Sequence, residues 1–117
     1  MKNYSRLGML AVLVVVMKPA SASAQVTFNK DVLPIVQTHC QTCHRPGEVA
    51  PMSLLTFKDA RPWARAIKTA VLTQQMPPWQ VEAQYDHKFS NAARLTQAER
   101  DILTAWADGG AVEGDPK

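Results

Sequence analysis

The sequence predicts an all-α fold, and two observations support that prediction. Three segments place apolar side chains at the i, i+3, i+4 spacing of a helix, and loops rich in proline join them. No segment alternates apolar and polar residues over a useful length, so we expect no β-sheet. With 117 residues and an ordinary share of charged side chains, the chain has room for one domain with a packed core.

The first predicted helix runs from about Asn29 to Thr38. Thr27 or Asn29 is its expected N-cap, and Asp31 lies in the first turn, where a negative charge suits the helix dipole. Proline costs least near a helix start, so we expect the helix to begin close to Pro34. Its apolar stripe consists of Val32, Ile35 and Val36.

The second helical region begins with a short turn. Thr56 is expected to cap this turn, which extends to Ala60. Pro62 then falls in the first turn of a long helix, where proline is tolerated. That helix must end before Met76-Pro77-Pro78, because a residue that precedes proline avoids the α region. The predicted apolar face consists of Trp63, Ala66, Ile67, Ala70 and Val71.

The third predicted helix has the clearest boundaries. Thr96 and Glu99 have the spacing of a capping box at its start. Asp108-Gly109-Gly110 ends it, since glycine accepts the left-handed conformation that often follows a helix. The buried stripe of this helix is expected to contain Ile102, Leu103 and Trp106.

The first 24 residues have the order of a secretory signal peptide. Lys2 and Arg6 give a basic start, an apolar run of eleven residues follows, and Ala24 closes a group of small residues. Eleven residues are too few to span a bilayer comfortably, since spanning takes about 20. We therefore predict a signal peptide over 1–24, cleaved after Ala24, and a periplasmic domain over 25–117. The alternative is an uncleaved anchor that tethers the domain to the membrane.

The net charge of +3 belongs to the N-terminal segment. Three of the thirteen basic residues lie there, whereas residues from Gln25 onward carry ten basic and ten acidic side chains. A nucleic-acid partner requires a basic patch on the folded domain, so none is expected.

Cys40-Gln41-Thr42-Cys43-His44 is the motif of covalent c-type haem attachment. Two thiols three positions apart at the end of a helix reach the two vinyl groups of one porphyrin. The next residue then presents an imidazole to the iron from the same side. The motif predicts one haem c bound through Cys40 and Cys43, with His44 as an iron ligand.

Other uses of a cysteine pair are less well supported by the residues. In an exported protein a disulfide is the default expectation, but the spacing of the two cysteines and the histidine directly after them favour haem attachment. A thioredoxin-like dithiol is expected in a βαβ context, which the helical pattern does not provide. A zinc site needs further ligands, and the remaining histidines are only His39 and His87.

The candidates for a sixth iron ligand are Met52, Met76, His39 and His87. His39 adjoins the attachment motif and is not expected to reach the far face of the haem. The stretch around Met52 is expected to wrap the proximal side. A backbone carbonyl near Pro51 would there hold the second ring nitrogen of His44 and fix its tautomer.

Met76 is the favoured sixth ligand. It lies 32 residues beyond His44, past the second helix, and Pro77 and Pro78 stiffen the loop that follows. His87 and an open sixth position remain alternatives. Trp79, directly after this loop, is expected to contact the haem.

On these residues the chain resembles the class I c-type cytochromes. The resemblance covers nearly the whole mature chain and implies helices packed around one haem, with Phe28 or Val32 against Trp106 where the first and last helices cross. More narrowly, the chain looks like a group of short bacterial haem domains, which occur alone or joined to thioredoxin-like or copper-monooxygenase modules. The motifs shared with that group are His44-Arg45-Pro46-Gly47, Ala50-Pro51-Met52-Ser53-Leu54, Met76-Pro77-Pro78-Trp79, Gly110-Ala111 and Gly114-Asp115.

These features predict a protein that transfers electrons between periplasmic redox partners and is not itself an enzyme. With His44 and Met76 on the iron, no position is left for a substrate, and Met/His ligation raises the reduction potential. One alternative is a haem module whose labile or open sixth site binds a gas or a peroxide. Another is a dedicated haem subunit of a larger oxidoreductase.

Overall fold

The computed structural model describes residues 24–116, except for the side chains of Ala83, Asp86 and His87. The predicted signal peptide therefore lies outside the described residues, apart from Ala24. The described part is all-α and contains no β-strand, as predicted. Its helices are α1 (Leu33–His39), α2 (Phe57–Ala60), α3 (Ala64–Leu72) and α4 (Gln97–Asp108). A π-helical turn (Phe28–Val32) precedes α1, and 3-10 turns occupy Arg61–Trp63 and Ala83–Lys88.

The start of the first helical region differs in detail from the prediction. Thr27 is the N-cap, but its side chain makes no capping hydrogen bond. Its backbone N–H instead donates to Oδ2 of Asp31 at 2.8 Å, so the Asp31 carboxylate makes the hydrogen bond that closes this end. Pro34 lies in the first turn of α1, and the predicted stripe of Val32, Ile35 and Val36 is buried.

The second helical region confirms its predicted cap. The hydroxyl of Thr56 accepts a hydrogen bond from the backbone N–H of Asp59 at 3.2 Å, and α2 ends at Ala60. The prediction that Trp63 shares the apolar face of α3 is wrong, since Trp63 is 42% exposed. The 3-10 turn explains the difference, because its tighter winding rotates Trp63 away from the face that begins at Ala64.

Both predicted ends of α4 are confirmed. The Thr96 hydroxyl accepts from the N–H of Glu99 at 3.2 Å, and a Glu99 carboxylate oxygen accepts from the N–H of Thr96 at 2.7 Å. Beyond Asp108 the chain turns through Gly110, whose φ of +91° is readily adopted only by glycine. Leu103 and Trp106 are fully buried.

The first and last helical regions cross at an aromatic contact. The ring centroids of Phe28 and Trp106 are 5.7 Å apart. The backbone carbonyl of Val112 accepts from the Phe28 N–H at 2.9 Å and from the Trp106 indole N–H at 3.0 Å. The segment after α4 therefore ties the two crossing regions together, and α3 packs along α4 beside them.

Gly114 has no side chain, and this lets the segment after α4 pack closely against Thr27. Its φ is +81°, and an added Cβ would lie 2.6 Å from Cβ of Thr27. Only glycine therefore lets the C-terminal segment lie against the start of the first helical region.

None of the helices within residues 24–116 combines the length and the apolar character needed to cross a membrane.

Candidate functional site

The two cysteines and His44 lie in a tight turn directly after α1. The N–H of Cys40 donates to the carbonyl of Val36 at 2.9 Å, which continues the helical pattern to this residue. The carbonyl of Cys40 then accepts from the N–H of Cys43 at 3.1 Å and from that of His44 at 2.9 Å. The motif is therefore held by backbone hydrogen bonds that do not depend on its own side chains.

The loop after His44 folds back onto the motif. The N–H of Ala50 donates to the carbonyl of Cys43 at 3.2 Å, and that of Leu54 donates to the carbonyl of His44 at 2.9 Å. The side-chain amide of Gln41 donates to the carbonyl of Leu54 at 3.1 Å. These three bonds fasten the loop to the motif and cover the backbone of His44.

The imidazole of His44 is buried and has a defined partner. His44 is 8% exposed, and its Nδ1 lies 3.2 Å from the carbonyl oxygen of Met52. A carbonyl oxygen only accepts, so Nδ1 carries the hydrogen and Nε2 of the neutral ring keeps a free lone pair. The acceptor lies one residue beyond Pro51, close to where the sequence predicted it, whereas Pro51 itself is exposed.

An apolar cavity of about 150 Å³ opens beside this imidazole. Cys40, His44 and Met76, three of the predicted site residues, line it together. Four residues of the predicted apolar face of α3 line it as well, so that face is directed at the cavity. The full lining comprises Val36, Cys40, His44, Met52, Leu54, Ala66, Ile67, Ala70, Val71, Met76 and Leu103.

The two thiols have different surroundings. Both are free, but Cys40 is half-buried and lines the apolar cavity, whereas Cys43 is exposed. Burial raises the pKa of the Cys40 thiol from 9.0 to about 11, because an apolar environment disfavours the thiolate. At neutral pH Cys40 is therefore a protonated thiol.

The turn after α3 brings Met76 to the apolar cavity. Gln74 has a φ of +57°, and this left-handed residue reverses the chain. The N–H groups of Gln75 and Met76 then both donate to the carbonyl of Ala70, at 2.9 and 3.2 Å. Met76 is 41% exposed, so its thioether lies at the boundary between the cavity and the solvent.

The remaining predicted residues do not line the apolar cavity, or their side chains are not among those that the structure describes. Nε2 of His39 lies 3.0 Å from Oε1 of Glu99, so His39 ties the end of α1 to the start of α4. Trp79 packs edge-on against Phe89, with ring centroids 5.9 Å apart. Among the described residues, neither Trp79 nor Pro51 lines the apolar cavity, and their contact with a haem stays a prediction. The side chain of His87 lies outside the described part.

The residues around the apolar cavity fit a covalently attached haem. The donor set contains a thiol in the cavity, a second thiol three residues on, an imidazole with an oriented ring and a thioether, and the other walls are apolar. Among the side chains that the structure describes, which exclude those of Asp86 and His87, no cluster of three His, Cys, Asp or Glu could hold a metal ion. A haem iron needs no such cluster, since the porphyrin supplies most of its ligands.

Sequence reasoning missed several of these lining residues. Val36 precedes Cys40 by four positions, so helical spacing places the two on one face. Leu54 and Leu103 carry no comparable local signal, because each reaches the cavity from a separate part of the fold.

No protein-family model, no curated protein and no solved structure matches this chain.

Proposed function

We propose that this protein is a monohaem c-type electron carrier. The observation that supports the proposal is that Cys40, His44 and Met76 line one apolar cavity, although Met76 is far from the other two in sequence. In this proposal Cys40 and Cys43 attach the haem, and His44 and Met76 are the protein ligands of the iron. The haem supplies an iron that takes up and releases a single electron.

The protein's own residues would make that electron exchange efficient. The hydrogen bond from Nδ1 of His44 to the Met52 carbonyl orients the ring and raises its basicity at Nε2. The apolar walls exclude water, and together with a thioether ligand they favour a high reduction potential. Because the motif is held by backbone hydrogen bonds, little has to move between the two oxidation states.

The proposed partners are redox proteins of the periplasm. Residues from Gln25 onward carry balanced charge, so we expect a small, weak docking interface without strong steering by net charge. Export, with loss of residues 1–24, belongs to the same proposal, because bacterial haem attachment of this kind takes place outside the cytoplasm.

One observation favours a second candidate function. Met76 is 41% exposed and belongs to a loop, so its thioether is less enclosed than the imidazole of His44. A ligand that leaves readily would open the iron to a gas or a peroxide. This candidate differs from the carrier only in how firmly Met76 is held.

The visible spectrum of the purified ferrous protein, before and after carbon monoxide is added, separates the two candidates. The carrier predicts a low-spin spectrum that carbon monoxide leaves unchanged over minutes. A prompt spectral shift contradicts it and favours the gas-binding candidate. Absence of any haem spectrum from protein exported by a host that matures c-type cytochromes contradicts both.

A further inference from the structure

Arg94 forms hydrogen bonds to the loop on both sides of Met76. Its Nη1 donates to Oε1 of Gln74 at 3.0 Å, two residues before Met76. Its Nη2 donates to the backbone carbonyl of Val81, five residues after Met76. One guanidinium group thus joins the two ends of the segment 74–81.

The backbone that carries Arg94 is held in place by the residues that follow it. The next residue, Leu95, is buried in the core, and Thr96 caps α4 immediately afterwards. A small pocket beside the loop is lined by Met76, Pro77 and Arg94 together. The guanidinium therefore connects the Met76 loop to the rigid start of α4.

We infer that Arg94 is a positioning residue for Met76. Without these hydrogen bonds to the loop, the hydrogen bonds to the Ala70 carbonyl remain, and those act only before Pro77. Arg94 thereby sets how long the thioether stays on the iron, and so selects the electron carrier over the gas-binding alternative. This inference rests on the proposed function.

Arg100 provides a matched control in the same pocket. It carries the same charge and lines the pocket with Met76 and Arg94. Its Nη1 donates to the Leu95 carbonyl at 2.6 Å and its Nη2 to Oε1 of Gln97 at 3.0 Å. Gln97 is the first residue of α4 and Leu95 lies two residues before it, so neither acceptor belongs to the segment 74–81. Removal of Arg100 therefore changes the local charge without removing a hydrogen bond to the loop.

The test compares haem-loaded wild type with Arg94→Gln, Arg94→Lys, Gln74→Ala and Arg100→Gln. The first measurement is the apparent affinity of the ferric protein for imidazole, a small ligand that must displace Met76. We expect Arg94→Gln to bind imidazole about tenfold more tightly or better, since it loses the charge-assisted hydrogen bonds to Gln74 and Val81. Arg94→Lys and Gln74→Ala should show smaller gains, because each keeps part of the link. Arg100→Gln should match the wild type.

The second measurement is amide hydrogen exchange over residues 74–82, on protein with and without haem. Arg94→Gln should speed exchange there by about tenfold while α4 exchanges as in the wild type. Equal imidazole affinities and equal exchange rates for Arg94→Gln and Arg100→Gln would overturn the inference and leave the proposed function intact. A wild type that carries no haem overturns the proposed function instead, and the exchange measurement still reports whether Arg94 holds the loop.

Discussion

Nδ1 of His44 lies 3.2 Å from the backbone carbonyl oxygen of Met52, and this contact joins the attachment motif to the loop that follows it. Two residues later, the Leu54 N–H returns to the carbonyl of His44 itself. The same short loop therefore holds both the ring and the backbone of His44. The role of iron ligand that we propose for His44 needs such support, because the bond at Nδ1 fixes which ring nitrogen is free to face a metal.

Replacement of Met76 by Ala tests the proposed sixth ligand. We expect the ferrous variant to bind carbon monoxide promptly and its reduction potential to fall, because the thioether no longer fills the position. In protein without haem the free energy of unfolding should change little, since Met76 is 41% exposed. The measurements are the ferrous spectrum with carbon monoxide and a potentiometric titration.

Met52→Leu is the control for that variant. Met52 also lines the apolar cavity, but the variant keeps its volume and the backbone carbonyl that holds His44. It should retain the wild-type spectra. The assignment of Met76 is wrong if Met76→Ala stays inert to carbon monoxide.

The two thiols should differ in reactivity before a haem is attached. With its pKa raised to about 11, Cys40 has a thiolate fraction at pH 8 about a hundredfold below that of a thiol at its ordinary pKa of 9.0. Cys43 is exposed, so iodoacetamide should modify Cys43 first. Peptide mass analysis at successive times measures the two rates, and urea-unfolded protein is the control in which the difference should vanish. Equal rates in the folded protein contradict the buried environment of Cys40.

Replacement of Gly114 by Ala should destabilise the fold by about 2–4 kcal/mol, combining a strained positive φ with overpacking. The added Cβ would lie 2.6 Å from Cβ of Thr27. Gly47→Ala is the matched control, because Gly47 also has a positive φ but would place its Cβ in open space. That control should cost only about 1 kcal/mol. Urea unfolding measures both, and equal losses would show that the Thr27 contact contributes nothing.

Acid should weaken the link between α1 and α4 through Glu99. Burial alone would raise the pKa of Glu99, but hydrogen bonds from Thr96 and the contact with His39 outweigh it, and the pKa falls below 4.5. A depressed carboxyl pKa stabilises the fold above pH 4.5, and that stabilisation disappears as the pH falls through the lowered value.

Glu99→Gln is the variant that tests this dependence. It keeps an oxygen for the Thr96 cap and removes the charge. The free energy of unfolding should therefore be lower at neutral pH, and it should vary less as the pH falls through the lowered pKa of Glu99. Asp101→Asn is the matched control, because it removes an exposed carboxylate from the same helix and leaves the contact between Glu99 and His39 in place. Urea unfolding at a series of pH values measures the slopes, and identical slopes for wild type and Glu99→Gln contradict the account.

Local signals in the sequence predicted the helices well. The caps at Thr56 and Thr96 depend on residues three positions apart, and such short-range hydrogen bonds follow from the sequence alone. Trp63 was misplaced because a helical spacing was assumed across a 3-10 turn. At Thr27 the cap position was correct, but the hydrogen bond runs from the backbone N–H of Thr27 to the carboxylate of Asp31.

The candidate site was predictable where its parts are close in the sequence, and at Met76, which the sequence marks by the two prolines after it. The Met52 carbonyl is eight residues from His44, a span too short to leave the proximal side, so its role followed from distance along the chain. Arg94 is 20 residues from Gln74 and 13 from Val81, and no local pattern marks it. Contacts of that kind depend on how α3 and α4 pack, which the helical pattern alone does not determine.

The intact mass of the exported protein, measured after denaturation, tests the central claim most directly. In a host that matures c-type cytochromes, we predict the mass of a polypeptide that starts at Gln25 plus one haem. The variant with Cys40→Ala and Cys43→Ala together should have the polypeptide mass alone. If the wild type also shows only the polypeptide mass, the cysteines do not attach a haem and the proposed function is wrong.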